Sequence, residues 1–202
     1  MEFLPQLKIG WLNGWLLLFI LYAGFGVLLL VFPRAVVKRL YERNGRTRAY
    51  YVRRALGVPI VLGAIGLFVL LPLKLGAWPL WVGLGIYLLG LGIFNAALIN
   101  YRNTPLDRPV TEGAYRYSRN PQLVGLLAAF MGTAVAVGSW LMVALAALMS
   151  VGVHARILAE ERACLAQYGD AYQAYMARVP RYFGLPREPS PTDPPARQQP
   201  AR

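Results

Sequence analysis

Charged side chains are absent from four long stretches of the chain. No Asp, Glu, Lys or Arg occurs from Ile9 to Pro33, from Ala55 to Leu73, from Leu75 to Tyr101, or from Asn120 to Val153. A helix needs about 20 mostly apolar residues to cross about 30 Å of hydrocarbon. The first three stretches each fit one such helix, at residues 12–32, 56–73 and 78–100. The fourth is too long for one crossing and is expected to fold back near Val137-Gly138-Ser139. That gives a helical hairpin over residues 121–157 whose arms are short for a full span. The pattern predicts an all-α, polytopic membrane protein with about five transmembrane helices and a short C-terminal amphipathic helix. The first stretch is read as a retained helix. It is long, only Lys8 precedes it as a basic flank, and it ends at Phe32-Pro33 rather than at small residues.

The segments between are polar and rich in turn formers. Arg34 to Arg54 is basic and is expected to be partly helical on the membrane surface. Trp78, Trp81 and Tyr101 sit where an aromatic belt would place them. Gly83, Gly85, Gly90 and Gly92 in the third helix allow two readings, close helix packing or a GxG cofactor contact, and packing is favoured because small residues let helices approach in lipid. After the hairpin the helix continues through Arg162. A short amphipathic helix over residues 170–179 then follows Gly169, with Asp170 as its N-cap, and stops at Pro180. Tyr168, Tyr172 and Tyr175 share one of its faces. The organisation expected is an N-terminal membrane part (1–108) with a basic loop at 33–54, a C-terminal functional part (109–186), and a Pro- and Arg-rich tail (187–202) that should be disordered.

Composition agrees with the pattern. The chain of 202 residues is 57% hydrophobic, with mean hydropathy +0.43. The net charge of +12 would suggest nucleic acid in a soluble protein. Its distribution points elsewhere, and no nucleic-acid partner is expected. Eight basic residues lie between Arg34 and Arg54, four between Arg102 and Arg119 and seven between Arg156 and Arg202, leaving only Lys8 and Lys74 for the other side. Basic loops stay cytoplasmic and face anionic lipid. This alternation puts the N-terminus outside and the C-terminus in the cytoplasm, with the lipid bilayer as the partner. The single cysteine, Cys164, excludes an intramolecular disulfide and a cysteine metal cluster; no metal is expected.

The candidate chemistry gathers at the cytoplasmic ends of the hairpin. Its short arms should draw Arg119-Asn120-Pro121 and His154-Ala155-Arg156 together toward the apolar layer. Arg156 and Glu160 stand four apart on one helix face, with Glu161 beside them. Alone, such a pair is a solvated ion pair worth a few tenths of a kcal/mol; ionisable groups facing a membrane-level cavity mark function.

Gly113-x-Tyr115-x-x-x-Arg119-Asn120-Pro121-x-x-x-Gly125 resembles the GxYxxxRHPxYxG motif of the isoprenylcysteine carboxyl methyltransferase family and its phospholipid methyltransferase relatives. Arg156-x-x-x-Glu160-Glu161-x-x-x-Leu165-x-x-Tyr168-Gly169-x-x-Tyr172-x-x-Tyr175-x-x-x-Val179-Pro180 resembles the block that follows it. The resemblance spans about residues 109–186. Asn120 stands where the family has His, and Leu123 where it has Tyr. An amide hydrogen-bonds but carries no proton between pH 5 and 8.

The resemblance implies an integral membrane methyltransferase using S-adenosyl-L-methionine. Tyr117, Arg119, Asn120, Pro121, Gly125, Glu160, Glu161, Tyr172 and Tyr175 are the expected cofactor residues. Glu160 or Glu161 would bind the cofactor ammonium, Arg119 its carboxylate, and the tyrosines its adenine or sulfonium. Arg156 and Glu160 are the expected catalytic pair, with Arg156 orienting an acidic acceptor. The acceptor is expected to be apolar or amphiphilic and lipid-like; a prenylated carboxylate, a phospholipid amine, a quinone and a thiol all stay open. His154, the only histidine, is read as structural or interfacial. Two other classes compete: a membrane reductase of the steroid-reductase type using NADPH, and a non-catalytic membrane scaffold.

Overall fold

The computed structural model describes residues 1–42 and 48–187. Among these residues the chain is all-α, with no strand. The helices are α1 (Trp15–Val31), α2 (Arg34–Glu42), α3 (Arg48–Leu70), α4 (Trp78–Asn103), α5 (Pro121–Ala136) and α6 (Trp140–Arg178), with a 3₁₀ turn at Gly113–Arg116 before α5. Segment 43–47 of the basic loop and nearly all of the tail expected to be disordered lie outside the described residues.

The apolar stretches became helices, with shifted ends. α3 begins at Arg48, eight residues before the expected start, because charge marks the edge of an apolar layer and not the end of a helix. α4 and α6 are long and apolar enough to cross a membrane; α1, α5 and the Gly57–Leu70 part of α3 are apolar but shorter. Phe19, Leu30, Trp81, Leu88, Leu89 and Val151 all point outward, so the helices are apolar even on faces that touch nothing. A helix apolar all round needs either a large core or lipid.

The hairpin turns where the sequence placed it. Gly138 has φ +70°, a left-handed position open to glycine, and Ser139 caps α6 by accepting from the Met142 amide at 3.3 Å. α4 and α5 pack backbone against backbone through Gly83 and Gly90 on one helix and Gly125 and Gly132 on the other. A Cβ on Gly90 would sit 2.5 Å from Ala129 N, and one on Gly132 2.4 Å from Tyr87 N. Gly85 and Gly92 face open space instead, so the packing reading holds for two of the four α4 glycines.

Contacts tie each end of the bundle. At one end Glu2 accepts from Lys74 Nζ at 2.7 Å, and its amide donates to Gly138 O at 2.8 Å. The Lys74 ammonium holds the Glu2 carboxyl below the usual carboxylate range. At the other end buried Arg39 of α2 donates to the carbonyls of Thr104, Pro105 and Arg108 at 3.3, 3.1 and 2.9 Å and to Tyr168 Oη at 3.2 Å, while its guanidinium lies 4.8 Å above the Tyr101 ring. α2, the 3₁₀ turn and the second half of α6 share this end.

Candidate functional site

Both motif blocks converge below the N-terminus of α5. The 3₁₀ turn starts at Gly113, whose φ of +61° suits glycine, and Asn100 Oδ1 accepts from the Ala114 amide at 3.0 Å. α6 breaks where the amphipathic helix was expected to begin: Gly169 (φ 50°, ψ −129°) is non-helical and kinks the chain, and a second helical piece runs from Asp170 to Arg178. That break turns Tyr172 and Tyr175 inward, where both are buried with ring centroids 5.6 Å apart. The Tyr175 hydroxyl donates to Tyr115 O at 2.7 Å and so holds the first block against the second. Burial pushes the Tyr175 phenol far above its ordinary range, which keeps it neutral and a donor.

Pro180 ends the helix and reverses the chain. The returning strap lies along the first block: Arg119 N donates to Pro180 O and Gly184 N to Tyr117 O, both at 3.0 Å. The strap carries Arg181 to the centre of the site.

There the Asn120 amide donates to Glu161 Oε1 and to Arg181 O, each at 3.2 Å. Arg181 Nε donates to Glu161 Oε1 and Oε2 at 3.2 and 3.0 Å. Arg119 Nε lies 3.4 Å from Glu161 Oε1, an ion pair outside hydrogen-bond geometry, so this buried donor has no hydrogen-bond partner. The side chains of Arg119 and Glu161 are 9% and 4% exposed, that of Arg181 34%. One carboxylate thus faces two guanidinium groups, and the cluster is one charge positive. Arg119 and Glu161 are almost wholly buried, so their ionic contact is stronger than one at a surface.

The other expected residues scatter around this centre. Arg156 donates to Glu160 at 2.9 Å, and with 54% of its side chain exposed it turns away from Glu161. Gly125 meets the backbone of Phe94 and Gly90 on α4, a packing position. Tyr117 is exposed and Pro121 is buried. Sequence reasoning missed Arg181; the one available signal was its position immediately after the Val179-Pro180 helix stop. It also gave His154 no partner, whereas the ring Nδ1 hydrogen-bonds the Tyr182 hydroxyl of the strap and the two rings stack at 6.1 Å.

Two clefts flank α5 and share Val124. One, of about 410 Å³, is lined by α4 residues including Gly92 and Ala96 and by Tyr117, Ser118, Pro121 and Phe183. The other, of about 300 Å³, lies between α5 and α6 and is lined by Leu123, Leu127, Val151, His154, Ile157 and Tyr182, among others. Both volumes lie in the lower part of the small-molecule range.

The family model for phospholipid methyltransferases (PEMT) matches residues 52–171, more than half of the 202-residue chain. The chain belongs to the phospholipid methyltransferase family. It is therefore a methyltransferase of a membrane enzyme family, as the resemblance of its motif blocks implied. The match covers most of α3, all of α4, the 3₁₀ turn and α5, and α6 as far as Ala171, and ends before Tyr172, Tyr175 and Arg181. No curated protein matches the chain.

Proposed function

We propose that this family member is an integral membrane enzyme that uses S-adenosylmethionine to methylate an apolar, lipid-like acceptor. The observation that carries the reading is the buried Asn120–Glu161–Arg119–Arg181 cluster, in which the two motif blocks meet. Its donor set suits the amino-acid end of the cofactor. Arg119 has a buried Nε with no hydrogen-bond partner, ready for a carboxylate. Glu161 has the charge for an ammonium, although Arg181 takes both its oxygens. Arg181 is the most exposed member, at a third, and so the one that an incoming ammonium would displace. Tyr117 and Phe183 offer ring faces in the neighbouring cleft. Tyr172 and Tyr175 support these groups from beneath. Glu160, paired with Arg156 through Oε1, is the second carboxylate for the ammonium.

S-adenosylmethionine supplies an electrophilic methyl group on a sulfonium. Transfer to an anionic acceptor removes charge, which a dry cleft favours over water. The protein's part is alignment, worth several kcal/mol in favourable cases.

The same reading sets the topology. α1, α3, α4, α5 and the first part of α6 are the five spans. The end holding Arg39, the cluster and the 180–187 strap faces the cytoplasm, in line with the Lys/Arg asymmetry. Residues 1–108 form the membrane support, 109–186 the catalytic part and 187–202 a dispensable tail. At 1.5 Å per residue the part of α6 before the Gly169 break extends about 44 Å, longer than a hydrocarbon core of about 30 Å, so its C-terminal turns and the piece after the break stand in the cytoplasm beside the cofactor.

Calorimetric titration of the detergent-solubilised protein with S-adenosylhomocysteine tests the reading. Binding that weakens about ten- to a hundredfold in Glu161→Gln and Arg119→Lys is expected. No binding to the wild type, or unchanged binding in both variants, would sink it.

A further inference from the structure

We infer that Arg181 is an exchange residue: the cofactor's ammonium takes Glu161 from it, and the freed guanidinium then holds an anionic group, phosphate or carboxylate, on the acceptor. Cofactor and acceptor therefore bind cooperatively. The inference rests on the methyltransferase reading and adds how the site couples its two ligands.

The main chain and the side chain of Arg181 are held separately. Asn120 Nδ2 and Ser118 Oγ donate to its carbonyl at 3.2 and 3.4 Å. On either side of it Pro180 O accepts from the Arg119 amide and the Gly184 amide donates to Tyr117 O, both at 3.0 Å. The main chain is thus pinned to the first motif block. Among the described residues the guanidinium bonds Glu161 alone, through Nε at 3.2 and 3.0 Å, and its side chain is a third exposed. It can leave Glu161 while the strap stays in place. Arg119, 9% exposed, has no such path to water.

The pinned main chain fixes where the displaced side chain goes. Neighbouring Cα atoms are about 3.8 Å apart, and the next two strap residues, Tyr182 and Phe183, line one cleft each. The freed guanidinium therefore stands at the strap end of both clefts, whichever holds the acceptor.

Charge selects what it meets there. Arg119, Arg181 and Glu161 together are one charge positive. The amino-acid end of the cofactor brings an ammonium and a carboxylate, which cancel, and the sulfonium adds one more positive charge. The loaded site is then two charges positive around a buried centre, and an anion on the acceptor offsets one of them. A guanidinium meets phosphate or carboxylate with two parallel N–H donors. Before the cofactor arrives, Glu161 holds Arg181 and its own charge repels an incoming anion. Arg156, the residue the sequence suggested for orienting an acidic acceptor, stays paired with Glu160 at 2.9 Å.

The test is calorimetric titration of S-adenosylhomocysteine, which keeps the ammonium and carboxylate, into protein in the nonionic detergent dodecyl maltoside. It is run alone and with octyl phosphate, octanoate, octanol or octylamine present. The wild type should bind about fivefold more tightly with octyl phosphate or octanoate, and the more effective of the two names the head. Octanol and octylamine should change nothing. In Arg181→Gln the competitor is gone. S-adenosylhomocysteine alone should then bind about fivefold more tightly than to the wild type, and the anionic probes should add nothing. Arg181→Lys keeps a competing charge, so it should stay within about twofold of the wild type and keep part of the anion effect. Weaker binding to Arg181→Gln than to Arg181→Lys would make Arg181 a direct cofactor ligand and overturn the exchange. No gain from either anionic probe in the wild type, or an equal gain from octanol, would overturn the acceptor role. Absence of binding to the wild type under every condition would defeat the methyltransferase reading itself, and this inference with it.

Discussion

The Asn120 side chain donates to Glu161 across 3.2 Å, joining the start of α5 to the middle of α6 through 41 residues of hairpin. Each partner is buried, and each is also held by Arg181, Asn120 through that residue's carbonyl and Glu161 through its guanidinium. The two glutamates of α6 therefore differ sharply. Glu161→Gln leaves two guanidinium groups facing an amide and should destabilise the protein by about 3 kcal/mol, the lower part of the range for breaking a buried pair because Arg181 is partly solvated. Glu160→Gln should cost under about 1 kcal/mol. Thermal unfolding of both variants in one detergent checks the contrast; equal losses would contradict it.

The glycine seam gives a second contrast. Gly90→Ala and Gly132→Ala place a methyl against the facing backbone and should each cost about 1–3 kcal/mol. Gly85→Ala meets open space and should be neutral or stabilising by about 0.5–1 kcal/mol. Denaturant midpoints for the three variants decide it, and a harmless Gly132→Ala would mean the helices sit farther apart.

Tyr175 provides the pH prediction. Burial raises its folded-state pKa above the unfolded value of about 10. Its contribution is therefore complete below about pH 10 and is lost as pH rises through the folded value. Tyr175→Phe should lose about 1 kcal/mol at neutral pH, where Tyr115 O loses its donor. The gap to wild type should narrow in strong alkali. Stability measured from pH 7 to 12 tests this; a constant gap would argue against a buried hydroxyl.

Topology is open to a simple assay. Reporter fusions at Gly76 and at Arg202 should report opposite sides of the membrane, with Arg202 cytoplasmic. A shared side would remove the five-span arrangement.

Much of the architecture was legible because the physics is local. Gly138 and Ser139 announce a turn by conformation and capping, and α4 is written in its apolar run. The apolar part of α3 starts at Gly57, beside the expected start, and the helix reaches back to Arg48 within the basic segment expected to be partly helical. The site was half legible. Arg119, Asn120 and Glu161 stood out by spacing and motif, and the structure brings them together. Arg156 was set with them because helix position shows which face a residue takes only when the partner surface is known. Arg181 and the His154–Tyr182 contact depend on a chain reversal at Pro180. No periodicity records where a strap returns.

The seam of α4 and α5 has a mechanical consequence. Two helices whose backbones touch at glycines two turns apart cannot slide without driving side chains into the facing backbone, and cannot splay without losing that close packing. α5 is the common wall of both clefts, and it is thereby fixed to α4. Any widening that admits a bulky ligand must then come from the other wall, through swinging of α6 about its Ser139 end or peeling of the 180–187 strap. Entry and release would be set by the part of the molecule that no glycine locks.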